Sequence, residues 1–389
     1  MAGIVVRPRS RILSGHDWVY ASEVLKSFGA PQDGDVISIK DGRDRLLGSA
    51  IYNSKSQIVA RRFSRRRQEL DRDFFERRIR QAAELRERLG CNPQLGRVVW
   101  SESDGLPGLI ADRYGRNAVL QTQTLAMDRH KGLIAEILRE VLGLDQVIER
   151  NESAGRRAEG LEDSNGVLLG GNPGPVICEI HGVRFEIDLA GGQKTGFYLD
   201  QVENYAAVAA YASGKRVLDC FSNQGGFALA CAARGAAAVT AVESGAEAAA
   251  RVSSNAALNG LRVEVAREDV FEFLNRGLRR GEEYDLIILD PPTFTRAKGG
   301  LSAALRGYRD LHSRAAKLLA KGGLLASFSC SHHVSGDALE EAAAGGFYDA
   351  QRDMRLLQRL PQPKDHPILF HLPETEYLKG FVAEAMPGR

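Results

Sequence analysis

Apolar positions are spaced differently in three stretches of the chain. Over residues 1–70 they form short alternating or continuous runs, at 36–40, 46–52 and 58–63, cut by Gly15, Gly29, Pro31, Gly34, Gly42 and Gly48. Such runs between turn residues predict strands and therefore a small β-rich module. Residues 71–89 switch to helical spacing, charged on one side and modestly apolar on the other. A second unit, at 71–188, mixes the two periods. Strands are expected there at 97–101, 108–113, 118–123 and 146–150, with a helix at 129–142. A polar loop should fill 151–171, and strands should follow at 175–180 and 183–189.

From about residue 189 to the end at 389, strand and helix patterns alternate, which signals a doubly wound parallel α/β sheet. Its strand candidates are 217–219, 238–243, 263–267, 285–290 and 323–329, and its clearest helix is 306–319. Short strands at 367–372 and 380–385 could pair antiparallel to close the sheet. Ligands of such sheets bind outside the carboxyl ends of the strands. The candidate chemistry falls at those ends.

Composition narrows the class without choosing within it. The 43% hydrophobic and 26% charged fractions suit a globular protein of more than one domain. No apolar run approaches the roughly 20 residues needed to cross a bilayer, and the start of the chain lacks an apolar signal segment, so a cytoplasmic location is expected. Five cysteines, at 91, 178, 220, 231 and 330, make neither a disulfide framework nor a zinc pattern. The net charge of +2 argues for no partner by itself. Its distribution says more. Arg7, Arg9 and Arg11, then RRFSRRR at 61–67 with Phe63 interleaved, suit phosphate contacts and base stacking, with Arg61, Arg62 and Arg65 as candidate contacts. The acidic residues that follow leave a solvated face as the other reading.

The motif VLDCFSNQGGF at 217–227 is an apolar run ending in Asp219, a turn through Ser222, two glycines at Gly225 and Gly226, and a return to helical spacing. Glycines there let a ligand lie on bare backbone amides at a helix start. The loop lacks the G-x-G-x-x-G spacing of dinucleotide sites and instead resembles the first motif of class I S-adenosylmethionine (SAM) methyltransferases. Glu243, at the next strand end, could hold ribose hydroxyls. Asp269 could accept from an adenine amino group or cap the helix that follows, and the two roles are compatible. DPPTF opens with Asp290, which Pro291 and Pro292 hold rigidly at a strand end, with Phe294 available for stacking on a flat substrate.

Cys330, in SFSCSHH, decides the reaction class. About 3% of an ordinary thiol is thiolate at pH 7, and that fraction is strongly nucleophilic. The 5-carbon of cytosine is too poor a nucleophile to take a methyl group until a thiolate adds to the neighbouring 6-carbon, and Asp290 could assist at the ring nitrogen. His332 and His333 follow within two residues, but no further Cys or His completes a shell, so no metal is expected.

These residues resemble the bacterial large-subunit ribosomal RNA methyltransferase I family, which acts at the 5-position of cytosine in 23S rRNA. The resemblance rests on GHDWVY at 15–20, SDGLPGLIADRYG at 103–115, QKTGFYLDQ at 193–201, DPPTF, SCSHH, and a tail with DHP and LPETEYLKG. It implies a PUA-like RNA-binding domain at 1–70, a central α+β domain at 71–188 and a class I methyltransferase domain at 189–389. Phe197, Tyr198, Asp219, Ser222, Gly225, Gly226, Glu243, Ser244, Asp269, Val270 and Asp290 would line the SAM site, with S-adenosyl-L-homocysteine (SAH) as product. Cys330 would be the nucleophile. Pro291, Pro292 and Phe294 would grip the base in 23S rRNA or its precursor, and the resemblance suggests a homodimer. The family usually carries Arg where this chain has Val202 and Tyr205. A guanine or adenine N-methyltransferase, which needs no thiol, and an inactive RNA-binding or assembly factor are the rival readings.

Overall fold

The computed structural model describes residues 2–172, 174–191, 196–294 and 298–388, with residue 298 through its backbone only. The chain forms two compact units, one of Met1–Cys178, Ile187–Leu199 and Lys364–Thr375, the other of Glu179–Glu186, Asp200–Pro363 and Glu376–Arg389.

In the first unit, the glycine-punctuated runs become a six-stranded sheet that includes Val36–Lys40, Leu46–Tyr52 and Ile58–Ser64. Its inward face is closed by Ile4, Val19, Ile37, Ile39 and Ala60. The helix Arg72–Arg88 starts where the Asp71 carboxylate accepts the Phe74 N–H at 2.8 Å. It buries Phe74, Phe75, Ile79 and Ala82 on one face. That face shares a core with Leu109, Leu120 and Val147 of a five-stranded sheet and with Ile134 and Leu138 of the helix Lys131–Leu142.

The polar stretch at 151–171 is more than a loop. Ser153 caps a short helix, Ala154–Ala158, and Ser164–Leu169 pairs antiparallel with Gln146–Asn151 as the edge of the five-stranded sheet. An edge strand with one wet side needs few apolar residues, so its sequence carried no strand signal. Helical spacing at 71–89 was easier to read because a buried helix face must be apolar.

The second unit is the expected doubly wound sheet. Its seven strands lie in the order Glu264–Ala266, Ala238–Val242, Arg216–Cys220, Tyr284–Leu289, Leu319–Ser329, Lys379–Pro387, Arg352–Arg359. The first five run parallel and the last two are antiparallel. Strand order reverses between Arg216–Cys220 and Tyr284–Leu289, where Cys220 lies in register with Leu289. That switch point is the place where such sheets hold ligands. The closing pair is therefore Lys379–Pro387 with Arg352–Arg359, and the expected strand at 367–372 is absent: only an isolated bridge, Leu369 to Leu372, forms there. Residues 364–375 instead join the first unit, where the Asp365 carboxylate accepts the Arg97 N–H at 2.8 Å and its carbonyl accepts from Arg86 at 2.8 Å. The edge strand Arg352–Arg359 is mostly exposed, so its charged sequence reads poorly as a strand.

Among the groups packed on the central strands is His312, wholly buried on the helix Leu301–Leu318. Its Nδ1 lies 2.6 Å from the Tyr308 carbonyl and must donate, so Nε2, 2.8 Å from the Ser327 hydroxyl, accepts. The imidazole is neutral, and burial pushes its pKa down to about 4. An unfolded histidine titrates near 6.5. Between those values the unfolded chain holds a proton that the folded chain refuses, so this contribution to stability is complete above about pH 6.5 and lost as pH falls toward 4. Lowering the pH from 7 to 5 should cost about 2 kcal/mol at this one site. Thermal unfolding of wild type and His312→Gln at both pH values checks it: the variant should lose less stability on acidification.

Candidate active site

The strand Arg216–Cys220 delivers Asp219 to the switch point almost wholly buried. Its Oδ2 accepts the Ala228 N–H at 2.9 Å, which ties the strand end to the first turn of the helix Gly226–Ala233. Its Oδ1 is buried with no partner among the described residues, as is the Asn223 Oδ1. Between them the backbone takes left-handed conformations at Phe221 (φ 63°), Asn223 (φ 49°) and Gly225 (φ 85°). Strain at two non-glycine residues in one turn is typical of a ligand clamp. Burial raises the Asp219 carboxyl well above the usual carboxylate range, with Asp290 and Glu243 adding to the shift. Three carboxyl groups thus bear on one another at the switch point, and a cationic ligand with polar hydrogens would relieve them.

Glu243 closes the loop from the next strand. Its Oε2 accepts the Asn223 N–H at 2.9 Å and its Oε1 the Gly245 N–H at 2.8 Å. Ser222 is buried and donates its N–H to the Val242 carbonyl at 3.1 Å, whereas Ser244 is exposed. Asp269 proves to be a helix cap: one carboxylate oxygen accepts from the Phe271 and Glu272 N–H groups at 2.9 and 3.2 Å. Val270 beside it belongs to the core.

On the other side of the switch point, the Asp290 Oδ2 accepts from the Gln201 amide at 3.1 Å. Pro291 is buried and Pro292 exposed. The DPPTF loop then brings the Thr293 hydroxyl to 3.2 Å from the Cys330 sulfur. Adjacent parallel strands make this possible, since Leu289 lies in register with Ser327. Phe294 is half-buried with its ring 4.7 Å from that of Tyr308, whose hydroxyl donates to Ser329 at 2.9 Å. Behind Cys330, the antiparallel register sets Lys379 opposite Ser329, and its ammonium donates to the Ser331 and Tyr377 carbonyls at 2.9 and 3.0 Å. Burial lowers the Lys379 pKa, and nearby Glu376 and Cys330 work against that shift.

The structure brings together Asp219, Ser222, Gly225, Gly226, Glu243, Asp290, Thr293 and Cys330 in the second unit. Phe197 and Tyr198 belong to the first unit, where Phe197 is buried and its N–H donates to the Tyr114 hydroxyl at 3.2 Å. Gln193, Lys194 and Thr195 lie outside the described residues. Arg61 and Arg62 do not face outward as expected. Arg61 pairs with Glu102 at 2.8 Å, and the buried Arg62 pairs with Asp17 at 2.7 Å and donates to the Gly15 carbonyl. As neighbours on one strand they point to opposite faces, and each finds a carboxylate on its own side; Arg65, past the strand end, stays exposed.

Tyr205 stands out in the sequence only as a departure from the resemblance; its packing role is not legible there. Where the family usually has Arg, this ring is buried, 4.7 Å from Phe227 in an edge-to-face contact. A Cβ on Gly226 would fall 2.3 Å from its Cζ, so the glycine admits the ring. Nothing in the local pattern links it to the glycine pair, which opens a separate helix.

The fold and this loop define a SAM-dependent methyltransferase that carries a PUA-like module. The family model for S-adenosylmethionine-dependent methyltransferases matches residues 160–371, and the model for PUA-like domains matches residues 7–65. The chain is 37% identical over 382 residues to the "Ribosomal RNA large subunit methyltransferase I" of Erwinia tasmaniensis and 39% identical over 381 residues to that of Aeromonas salmonicida, with 96% of each chain covered. A chain described as a methyltransferase and solved with SAH has a TM-score of 0.86 at 21% identity, covering 99% of this chain and 100% of its own. A Streptococcus mutans chain described as SAM-dependent gives 0.85 at 20%. The chain belongs to the ribosomal RNA large subunit methyltransferase I family. SAM is its cofactor, and the unpartnered acceptors on Asp219 and Asn223 fit a ligand with an ammonium and a sulfonium.

Gly226→Ala tests the cradle. Its methyl group would displace Tyr205 and disturb the first turn of the helix, so SAM affinity measured by calorimetry should fall by roughly tenfold or more.

Proposed function

We propose that this chain methylates the 5-carbon of a cytosine in 23S rRNA through a covalent adduct on Cys330. The observation that carries the reading is the Cys330 sulfur 3.2 Å from Thr293 of the DPPTF loop, at a strand end beside the SAM loop. A purine N-methyltransferase needs no thiol there. The rRNA substrate is supported by the name shared by relatives of full length, and the PUA-like module supports RNA binding.

In this mechanism Asp219 and the 222–226 loop would hold the donor, Glu243 would serve its ribose hydroxyls and Asp269 its adenine amino group. SAM supplies an electrophilic methyl group and leaves as SAH. The target cytosine is turned out of its stack to reach the thiolate. The Cys330 thiolate adds to the 6-carbon, and electron density moves to the 5-carbon while Asp290 holds the ring nitrogen side of the base. The 5-carbon takes the methyl group and then gives its proton to a water acting as base, and the electron pair of that C–H bond expels the sulfur, which restores the aromatic ring and the thiolate. Lys379, which anchors the Ser331 carbonyl next to that sulfur, keeps a positive charge near the thiolate. The same reading divides the chain into an RNA-binding part at 1–70, a central part at 71–188 and a catalytic part at 189–389, working in the cytoplasm.

Cys330→Ala should abolish 5-methylcytosine at the target in rRNA, read by mass spectrometry of RNA from cells carrying only the variant. With RNA containing 5-fluorocytosine, wild type should form a stable protein–RNA adduct and the variant none. Methylation at the wild-type rate by Cys330→Ala would sink the covalent scheme and favour the purine reading.

A further inference from the structure

We infer that a groove within the first unit, outside the six-stranded sheet, grips the sugar–phosphate backbone of the RNA; the inference rests on the RNA reading above and names where that RNA lies. The groove has a volume of about 500 Å³ and is bounded by the end of the strand Ile58–Ser64, the helix Arg72–Arg88 and the turn Ser101–Asp104. Five arginines line it: Arg62 on the strand, Arg65 and Arg66 just past its end, and Arg78 and Arg88 from the helix.

Three acids also line the groove, and each is already neutralised. Asp17 pairs with Arg62 at 2.7 Å and His371 at 2.8 Å. Glu102 pairs with Arg61 at 2.8 Å and accepts from the Trp18 indole at 2.9 Å. Asp104 pairs with Arg86 at 2.5 Å. Of the five arginines only Arg62 is spent in this way; Arg65, Arg66, Arg78 and Arg88 make no ion pair among the described residues. The groove is therefore positive by more than its list of charges suggests.

Arg78 shows that the charge was placed rather than left over. One of its terminal nitrogens donates to the Phe63 carbonyl at 3.2 Å, while its Nε is buried without an acceptor among the described residues. The guanidinium lies against Gly105, where an added Cβ would sit 3.0 Å from Cζ. A guanidinium held with one donor unmet has its charge undiminished by a partner, and an anion at its remaining nitrogens would compensate it. Guanidinium groups match phosphate oxygens two at a time, and several in a row track a polyanion.

The chemistry favours a nucleic-acid backbone over a protein. Of the two rings in the lining, Phe63 is buried and His371 is held by the Asp17 carboxylate at 2.8 Å, so the arginines dominate what the groove offers a ligand. Contacts of that kind position an RNA without reading its sequence.

The test uses the full chain and a fragment of large-subunit rRNA, with affinity followed by fluorescence anisotropy from low to moderate salt. Arg66 and Arg88 are exposed, so Arg66→Gln/Arg88→Gln should fold normally, and unchanged SAM affinity by calorimetry verifies that. The double variant should bind RNA roughly tenfold more weakly at low salt, and the slope of log affinity against log salt should shrink by about 1.4–1.8, for two lost phosphate contacts. Arg78→Gln should reduce it further. If wild type binds and methylates rRNA but the double variant keeps its affinity and slope, the groove is not the RNA path and the methyltransferase reading stands. If wild type shows no salt-dependent RNA binding, both fail together.

Discussion

A carboxylate buried at the end of a parallel strand is the constraint on which the catalytic unit depends. Asp219 gives one oxygen to the helix that follows and keeps the other buried without a partner among the described residues, so strand, loop and helix are locked together around an acceptor that a ligand could satisfy. In a dry site such a group is costly unless something polar meets it. The left-handed turn at Phe221 and Asn223 is a second cost, and it buys the aim of the loop. Glu243 holds that turn from the neighbouring strand through the Asn223 N–H.

The sheet then does geometric work that no single motif could. Parallel neighbours, with Cys220 opposite Leu289 and Leu289 opposite Ser327, release the chain at the same edge of the sheet, so Asp219, Asp290 and Cys330 all fall at or just past their strand ends there. Tyr205 supports this edge from below, its ring taking up the space above Gly226. A buried ring there cannot make the phosphate or carboxylate contacts open to an arginine. The groove arginines that make no ion pair among the described residues, Arg65, Arg66, Arg78 and Arg88, are where we infer that anion binding is supplied instead.

Much of this was legible in the sequence. Continuous apolar runs such as LIIL at 286–289 mark strands buried on both faces, and the residues just after them mark the site, because a parallel sheet always presents its carboxyl ends to the ligand. Edge strands were not legible. Ser164–Leu169 and Arg352–Arg359 have a wet side, so their residues obey solubility more than periodicity, and the first was read as loop while the second was passed over for 367–372.

Composition and spacing by themselves determined the doubly wound class, the glycine loop, and the short set of acids and the thiol that could act. Tertiary structure decided which charges are spent and which are left. Arg61 and Arg62 look like the centre of a basic cluster in a list of residues, yet they are paired inside a sheet, while Arg78 and Arg88, a helix away, face an opening. The physical reason is that a charge acts through its partners and its exposure, and both are properties of neighbours far apart in the chain.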